Sequence, residues 1–113
     1  MKPNEKLAAV FYRSATGAEP VRDWLKGLTA DQRKAIGADI RTAQYGWPLG
    51  MPLIRKMEPG LWEVRTQFRN GIARTLFTVD GKRIVLLHGF IKKSQETPLH
   101  ELRLARRRLK ELA

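Results

Sequence analysis

Four basic residues dominate the chemistry open to the second half of this sequence. Arg65 lies in LWEVRTQF (61–68), Arg74 in IARTLFTV (72–79), and Lys92 and Lys93 close the run IVLLHGFIKK (84–93). Guanidinium and ammonium groups clustered on a rigid sheet make a seat for phosphate. They hold it more strongly as charge builds on its oxygens during phosphodiester cleavage. Side chains alternate across a strand, so Trp62, Val64, Thr66 and Phe68 share one face, and Glu63, Arg65 and Gln67 share the other. With Asn70-Gly71 as a two-residue turn, Arg69 pairs with Ile72, Gln67 with Arg74 and Arg65 with Leu76. The two arginines then become diagonal neighbours, close enough to share one phosphate. Register carried through Asp80-Gly81 sets Leu87 opposite Arg74 and brings Lys93 to the arginine face; a bulge at Gly89 would bring Lys92 instead. The competing reading of the same spacing makes Arg65 and Arg74 solvated strand positions, or partners of Glu63.

Other residues carry two readings each. His88 is a general acid or base by its imidazole, or a hydrogen-bonded core histidine by its apolar strand. Phe90 either stacks an unpaired base or fills the core. Arg69 at the hairpin, and Arg103, Arg106 and Arg107 on a terminal helix, are candidate RNA contacts; the plainer reading of that helix is a solvated basic face. Trp24, Trp47 and Trp62 read as packing.

The elements that must position these groups are legible from periodicity and punctuation. Residues 7–13 lean towards a strand. Pro20 opens a helix whose Val21, Trp24, Leu25 and Leu28 form one stripe, and Thr29 to Gln32 has the spacing of a capping box for a second. Ile36, Ile40 and Ala43 face inward on that second helix, which Gly46 and Pro48 end, so a helical hairpin spans about 19–45. Residues 46–60 read as an ordered loop with a short strand around 52–57. Strands at 61–68, 72–79 and 83–91 follow as an antiparallel meander, and Thr97-Pro98 caps a helix over about 98–112. The fold class is α+β, with the cations on the helix-free side of the meander.

A chain of 113 residues fits a single domain, 1–113, within the common range of ~100–150 residues. It contains no cysteine, which removes disulfides, thiol catalysis and thiolate metal sites. Its two histidines have no metal-ligand spacing, so no metal and no cofactor is expected. No apolar run approaches the ~18 residues of a membrane span, and MKPNEKLAAV lacks a signal-peptide core, so the expectation is a cytoplasmic protein without membrane contact. Lys and Arg number 22 against 11 Asp and Glu, a net charge of +11 that calls for a polyanion, nucleic acid foremost.

GLWEVR (60–65), IARTLF (72–77), IVLLHGFIKKSQETP (84–98) and HELRLARRRL (100–109) together resemble the phage-derived, gene-product-49-like branch of the RelE/HigB toxins. SATGAEPVRDWLKGL (14–28) and YGWPLGMPLIRKM (45–57) are similar to the front half of that pattern. The resemblance implies a RelE-like fold, with an N-terminal strand and helical hairpin packed on the meander and a C-terminal helix. It also implies a toxin of a type II toxin–antitoxin pair that cleaves mRNA on the ribosome without a metal. The 2′-hydroxyl attacks the adjacent phosphate, leaving a cyclic phosphate and a 5′-hydroxyl. Carried over by position, Arg74 matches the family arginine of the middle strand, Arg65 the basic position before it, and Lys92 or Lys93 a further basic residue; His88 belongs to the branch's pattern. The implied partners are a HigA-like helix-turn-helix antitoxin and ribosome-bound mRNA, with DNA reached only through the antitoxin. Better-studied relatives carry a late tyrosine, whereas this chain has none after Tyr45, so the general base is unassigned. That departure sustains an alternative: a non-catalytic RNA- or ribosome-binding module.

Overall fold

The computed structural model describes residues 6–112; residues 1–5, part of the stretch read for a targeting segment, and residue 113 lie outside it. The order is β1 (Ala8–Phe11), α1 (Pro20–Lys26), α2 (Ala30–Gly46), β2 (Ile54–Glu58), β3 (Leu61–Phe68), β4 (Gly71–Asp80), β5 (Arg83–Lys92) and α3 (Leu99–Glu111). One five-stranded sheet runs β1-β5-β4-β3-β2. β3 to β5 form the expected antiparallel meander, β2 extends it by a fourth antiparallel strand, and β1 adds a parallel edge against β5. The α+β class therefore holds, with a mixed sheet. Among the described residues no helix is long and apolar enough to cross a membrane.

Local rules account for the helices. Pro20 occupies the first turn of α1, where a missing N–H costs nothing. Thr29 accepts from the Gln32 amide at 3.1 Å while the Gln32 side chain accepts from the Thr29 amide at 3.1 Å, the reciprocal capping box read from sequence. Thr97, by contrast, does not cap α3: Pro98 takes the cap position, and the Thr97 hydroxyl is directed elsewhere.

The sheet separates two cores. Val21, Ile36, Ile40 and Ala43 from the helical hairpin pack on Ile54, Val64, Ala73, Phe77, Ile84 and Leu86. On the opposite face Ala105 of α3 joins Tyr12, Leu61, Leu76, Val85, Leu87 and Phe90. The arginine face is thus not helix-free. α3 covers its β5 side, because the Leu102, Ala105 and Leu109 stripe needs an apolar floor and Val85 and Leu87 provide it.

Both hairpin registers differ from the sequence-based expectation. Phe68 pairs with Gly71, so the first loop is Arg69-Asn70, and Gly71 enters the ladder with its absent Cβ 3.1 Å from the Ile91 side chain. Asp80 pairs with Arg83, so the second loop is Gly81-Lys82, with Gly81 at φ 61 as a glycine-first turn requires. β5 then gains one residue: Phe77 pairs with Leu86 but Leu76 with His88, leaving Leu87 as the extra residue of a bulge. Strict alternation, which would bring Lys93 to the arginine face, is thus broken; the alternative of one bulge holds, but at Leu87 rather than at Gly89. Gly89 is needed for a different reason, since a Cβ there would lie 2.2 Å from the Trp24 ring.

Two glycines therefore respond oppositely to alanine. Gly89→Ala forces a packed indole to move and lowers stability by about 1–3 kcal/mol. Gly37→Ala, inside α2 with nothing within 4 Å of the added carbon, raises it by about 0.5–1 kcal/mol. Urea unfolding of the two variants beside the parent checks both signs.

Candidate functional site

One carboxylate organises the α3-side face of the sheet. Glu63 is fully buried at 0 % exposure, two arginines form ion pairs with it, and register places a third opposite it. Arg55 pairs directly opposite it on β2, Arg65 lies two residues along on β3, and Arg74 is diagonal to it on β4. Arg65 Nε stands 3.7 Å and Arg74 Nε 3.6 Å from Glu63 Oε1. Arg65 and Arg74 are direct cross-strand partners rather than diagonal neighbours, a consequence of the Arg69-Asn70 loop. Two like charges so paired repel, and the intervening carboxylate offsets that repulsion. The reading that pairs both arginines with Glu63 is therefore correct for the ion pairs, and register adds a third arginine, Arg55, beside the same carboxylate.

The cluster is covered from outside by the connection between β5 and α3. The Ser94 carbonyl accepts from Arg74 Nη2. The Gln95 carbonyl and side-chain oxygen accept from Arg65 Nη2 at 3.3 and 3.0 Å, and Thr97 Oγ1 donates to Glu63 Oε2 at 2.6 Å. Arg65 is left 7 % exposed and Arg74 0 %. Phe90 lies beneath, its ring 5.8 Å from the Arg74 guanidinium carbon. Burial pushes the Arg74 pKa below its ordinary value; Glu63 opposes that shift, and Arg65 and Arg55 add to it. Even so, several donors lack partners: Arg65 Nε, Arg74 Nε and Arg74 Nη1 make no hydrogen bond among the described residues.

The lysines divide. Ile72 pairs with Lys92, so register places Lys92 on the arginine face, exposed at its edge. The Leu87 bulge makes that choice. Lys93 instead lines an open cleft of about 360 Å³ with Gln67, Arg69, Asn70 and Gln95 at the tip of the β3–β4 hairpin. Arg69 is exposed there.

His88 and the terminal helix form a separate polar knot. His88 Nε2 lies 2.7 Å from Glu101 Oε1, and its Nδ1 lies 3.3 Å from Arg108 Nη1. Arg108 also donates to the Leu87 carbonyl at 2.7 Å and sits over the Tyr12 ring, whose hydroxyl donates to Glu111. Because a guanidinium only donates, Nδ1 must accept and Nε2 carry the proton to Glu101. Both ring nitrogens are thus engaged in fastening α3 to β5. Burial lowers the His88 pKa, Glu101 opposes the shift, and Arg108 and His100 reinforce it. Phe90, 7 % exposed and stacked 5.8 Å from His88, is a core aromatic rather than an open base platform. Arg106 is held by Glu58 at 2.6 Å, whereas Arg103 and Arg107 are exposed without ion pairs among the described residues.

Arg55 and Gln95 escaped sequence reasoning. Arg55 faces the cluster only because β2 is irregular between Lys56 and Glu58, which alternation cannot foresee. The adjacent S-Q-E-T polar run after the lysines was the available signal for Gln95.

Two predictions follow from these contacts. Glu63→Gln keeps the shape but leaves buried guanidiniums uncompensated, and lowers stability by about 3–5 kcal/mol in denaturant unfolding. His88 has a folded pKa below the ordinary 6.5, so the unfolded chain binds its proton first on acidification. Stability then falls as pH drops through 6.5, levelling only below the folded pKa, and His88→Gln flattens that part of the stability–pH curve.

A family model described as phage-derived protein Gp49-like matches residues 23–110, a span that holds both arginine strands, both lysines and most of α3. No curated protein matches the chain. By that match the chain belongs to the Gp49-like family of phage-derived proteins.

Proposed function

We propose that this protein is the toxin of a type II toxin–antitoxin pair, a RelE/HigB-type endoribonuclease that cleaves mRNA on the ribosome. The Gp49-like family is associated with toxins of toxin–antitoxin systems. The observation that carries the reading is the excess of guanidinium over carboxylate on one sheet face, beside a cleft lined by Arg69 and Lys93. A net charge of +11 gives the whole chain affinity for a polyanion through release of condensed counterions.

In the proposed reaction the 2′-oxygen attacks phosphorus and the bond to the 5′-oxygen breaks. The products are a 2′,3′-cyclic phosphate and a 5′-hydroxyl. Negative charge accumulates on the non-bridging oxygens, where Arg65 and Arg74 stabilise it; one donor of this type contributes about 3–4 kcal/mol in other enzymes. Lys92, an ammonium at the open edge of the same face, gives a proton to the leaving 5′-oxygen; water takes the 2′-hydroxyl proton and returns one to Lys92. Arg69, Lys93, Arg103 and Arg107 hold the RNA backbone. The partner in the resting cell is a HigA-like helix-turn-helix antitoxin, through which alone the complex reaches DNA, and the toxin acts in the cytoplasm.

A second reading is a non-catalytic RNA- or ribosome-binding module. It is favoured by the full engagement of His88 and by the absence of any tyrosine after Tyr45. Induction of the protein alone separates the two. The nuclease arrests growth and leaves breaks within mRNA codons, and Lys92→Ala, an exposed change, lowers the cleavage rate about 100-fold. Growth arrest with intact transcripts establishes the binding module instead.

A further inference from the structure

The contacts made by residues 94–97 have an unusual chemistry. Each oxygen they direct at the arginines is neutral: the Ser94 carbonyl on Arg74, and the Gln95 carbonyl and amide oxygens on Arg65. Beneath them Arg74 Nη1 stays buried with no acceptor, and Arg65 Nε and Arg74 Nε share a single carboxylate oxygen, Glu63 Oε1, at 3.7 and 3.6 Å, beyond hydrogen-bond distance. Buried donors are normally satisfied, so the strap under-fills the site it covers. A group with several anionic oxygens would satisfy more of these donors, by stronger bonds. Gln95 has a second role in the geometry. It also forms a wall of the cleft that contains Arg69 and Lys93, so it stands between that open cleft and the covered arginines.

We infer that the oxygens of Ser94 and Gln95 occupy the positions of phosphate oxygens, and that Gln95 is a latch which a phosphodiester seated at Arg69 and Lys93 displaces to reach Arg65 and Arg74. The inference rests on the RNA reading above and adds a positioning residue to it. Gln95 touches no reacting atom; it sets the fraction of molecules whose arginines are open to the ligand. Apparent affinity scales with that fraction. Thr97, bonded to Glu63, anchors the far end of the strap and keeps the carboxylate in place while the latch opens.

Two substitutions of opposite sign test this. Gln95→Ala removes one acceptor from Arg65 and loosens the latch; Gln95→Glu gives Arg65 a charged acceptor and tightens it. Binding of a 2′-O-methyl oligoribonucleotide, which lacks the attacking hydroxyl, is measured by fluorescence anisotropy at constant salt. Asn70→Asp adds the same charge to the same cleft from the hairpin loop, outside the hydrogen bonds of Arg65, and serves as the charge control. The expected result is binding about 2- to 10-fold tighter for Gln95→Ala, the range of one hydrogen bond, and weaker for Gln95→Glu than for Asn70→Asp. In the parent, NMR resonances of residues 94–97 and the Arg65 and Arg74 Nε–H groups shift together on adding oligonucleotide. The same shifts with inorganic phosphate alone mean that the phosphate group suffices; shifts with oligonucleotide only mean that the cleft contacts are needed to open the latch. Oligonucleotide binding that Gln95→Ala leaves unchanged or weakens, with residues 94–97 unshifted, overturns the latch and leaves the RNA reading standing. Failure of parent and variants alike to bind oligonucleotide or phosphate overturns both.

Discussion

An ionised carboxylate removed from water must be compensated by neighbouring charge, and Glu63 is removed completely. Much of the α3-side surface follows from that requirement. Arg65 and Arg74 are drawn to within 3.7 Å of it, although as direct cross-strand partners they repel each other. The arginines in turn need acceptors for their outer N–H groups, and the β5–α3 connection supplies them from its own backbone. Thr97 is turned from capping α3 towards the carboxylate. The path of the chain between Lys92 and Leu99 is thus shaped by a charge cluster that lies wholly in the preceding strands.

Which cations join the cluster depends on two single-residue irregularities. Side chains alternate with a period of two, so one extra residue transfers everything beyond it to the opposite face. The shift in β2 sets Arg55 against Glu63; unbroken pairing from Glu58 and Leu61 would have set it against Val64, under the helical hairpin. The extra residue at Leu87 likewise brings His88, Phe90 and Lys92 to the α3 side. A surface with three guanidiniums, a stacked aromatic and a terminal lysine is therefore a product of parity.

The terminal helix shows why basic residues cannot simply be counted as nucleic-acid contacts. Arg106 binds Glu58, and Arg108 bridges the Leu87 carbonyl and His88, so both hold α3 to the sheet. Arg103 and Arg107, on the same helix, project outward. Desolvation of His88 and the donor beside its Nδ1 both favour the neutral ring, so α3 is fastened most firmly where that ring carries a single proton.

Much of this was legible in the chain itself. The α+β order, the Pro20 helix start, the Thr29–Gln32 box, the meander and the separation of Arg65 from Val64 all follow from local propensity, and local propensity needs no partner. The resemblance to the Gp49-like family was carried by the same strands. The hairpin loops were misplaced by one residue each because Asn70-Gly71 and Asp80-Gly81 are strong turn signals, yet pairing across the sheet favoured Arg69-Asn70 and Gly81-Lys82. Gly89 offered a site for the alternative bulge, whereas its purpose is to admit the Trp24 ring from another element. Which residues are strand, helix or turn is set by short-range sterics and hydrogen bonding, and the sequence determined those. Which cation is buried, which is open and which carbonyl covers it depends on contacts between segments 20 to 40 residues apart, and only the tertiary structure could decide them.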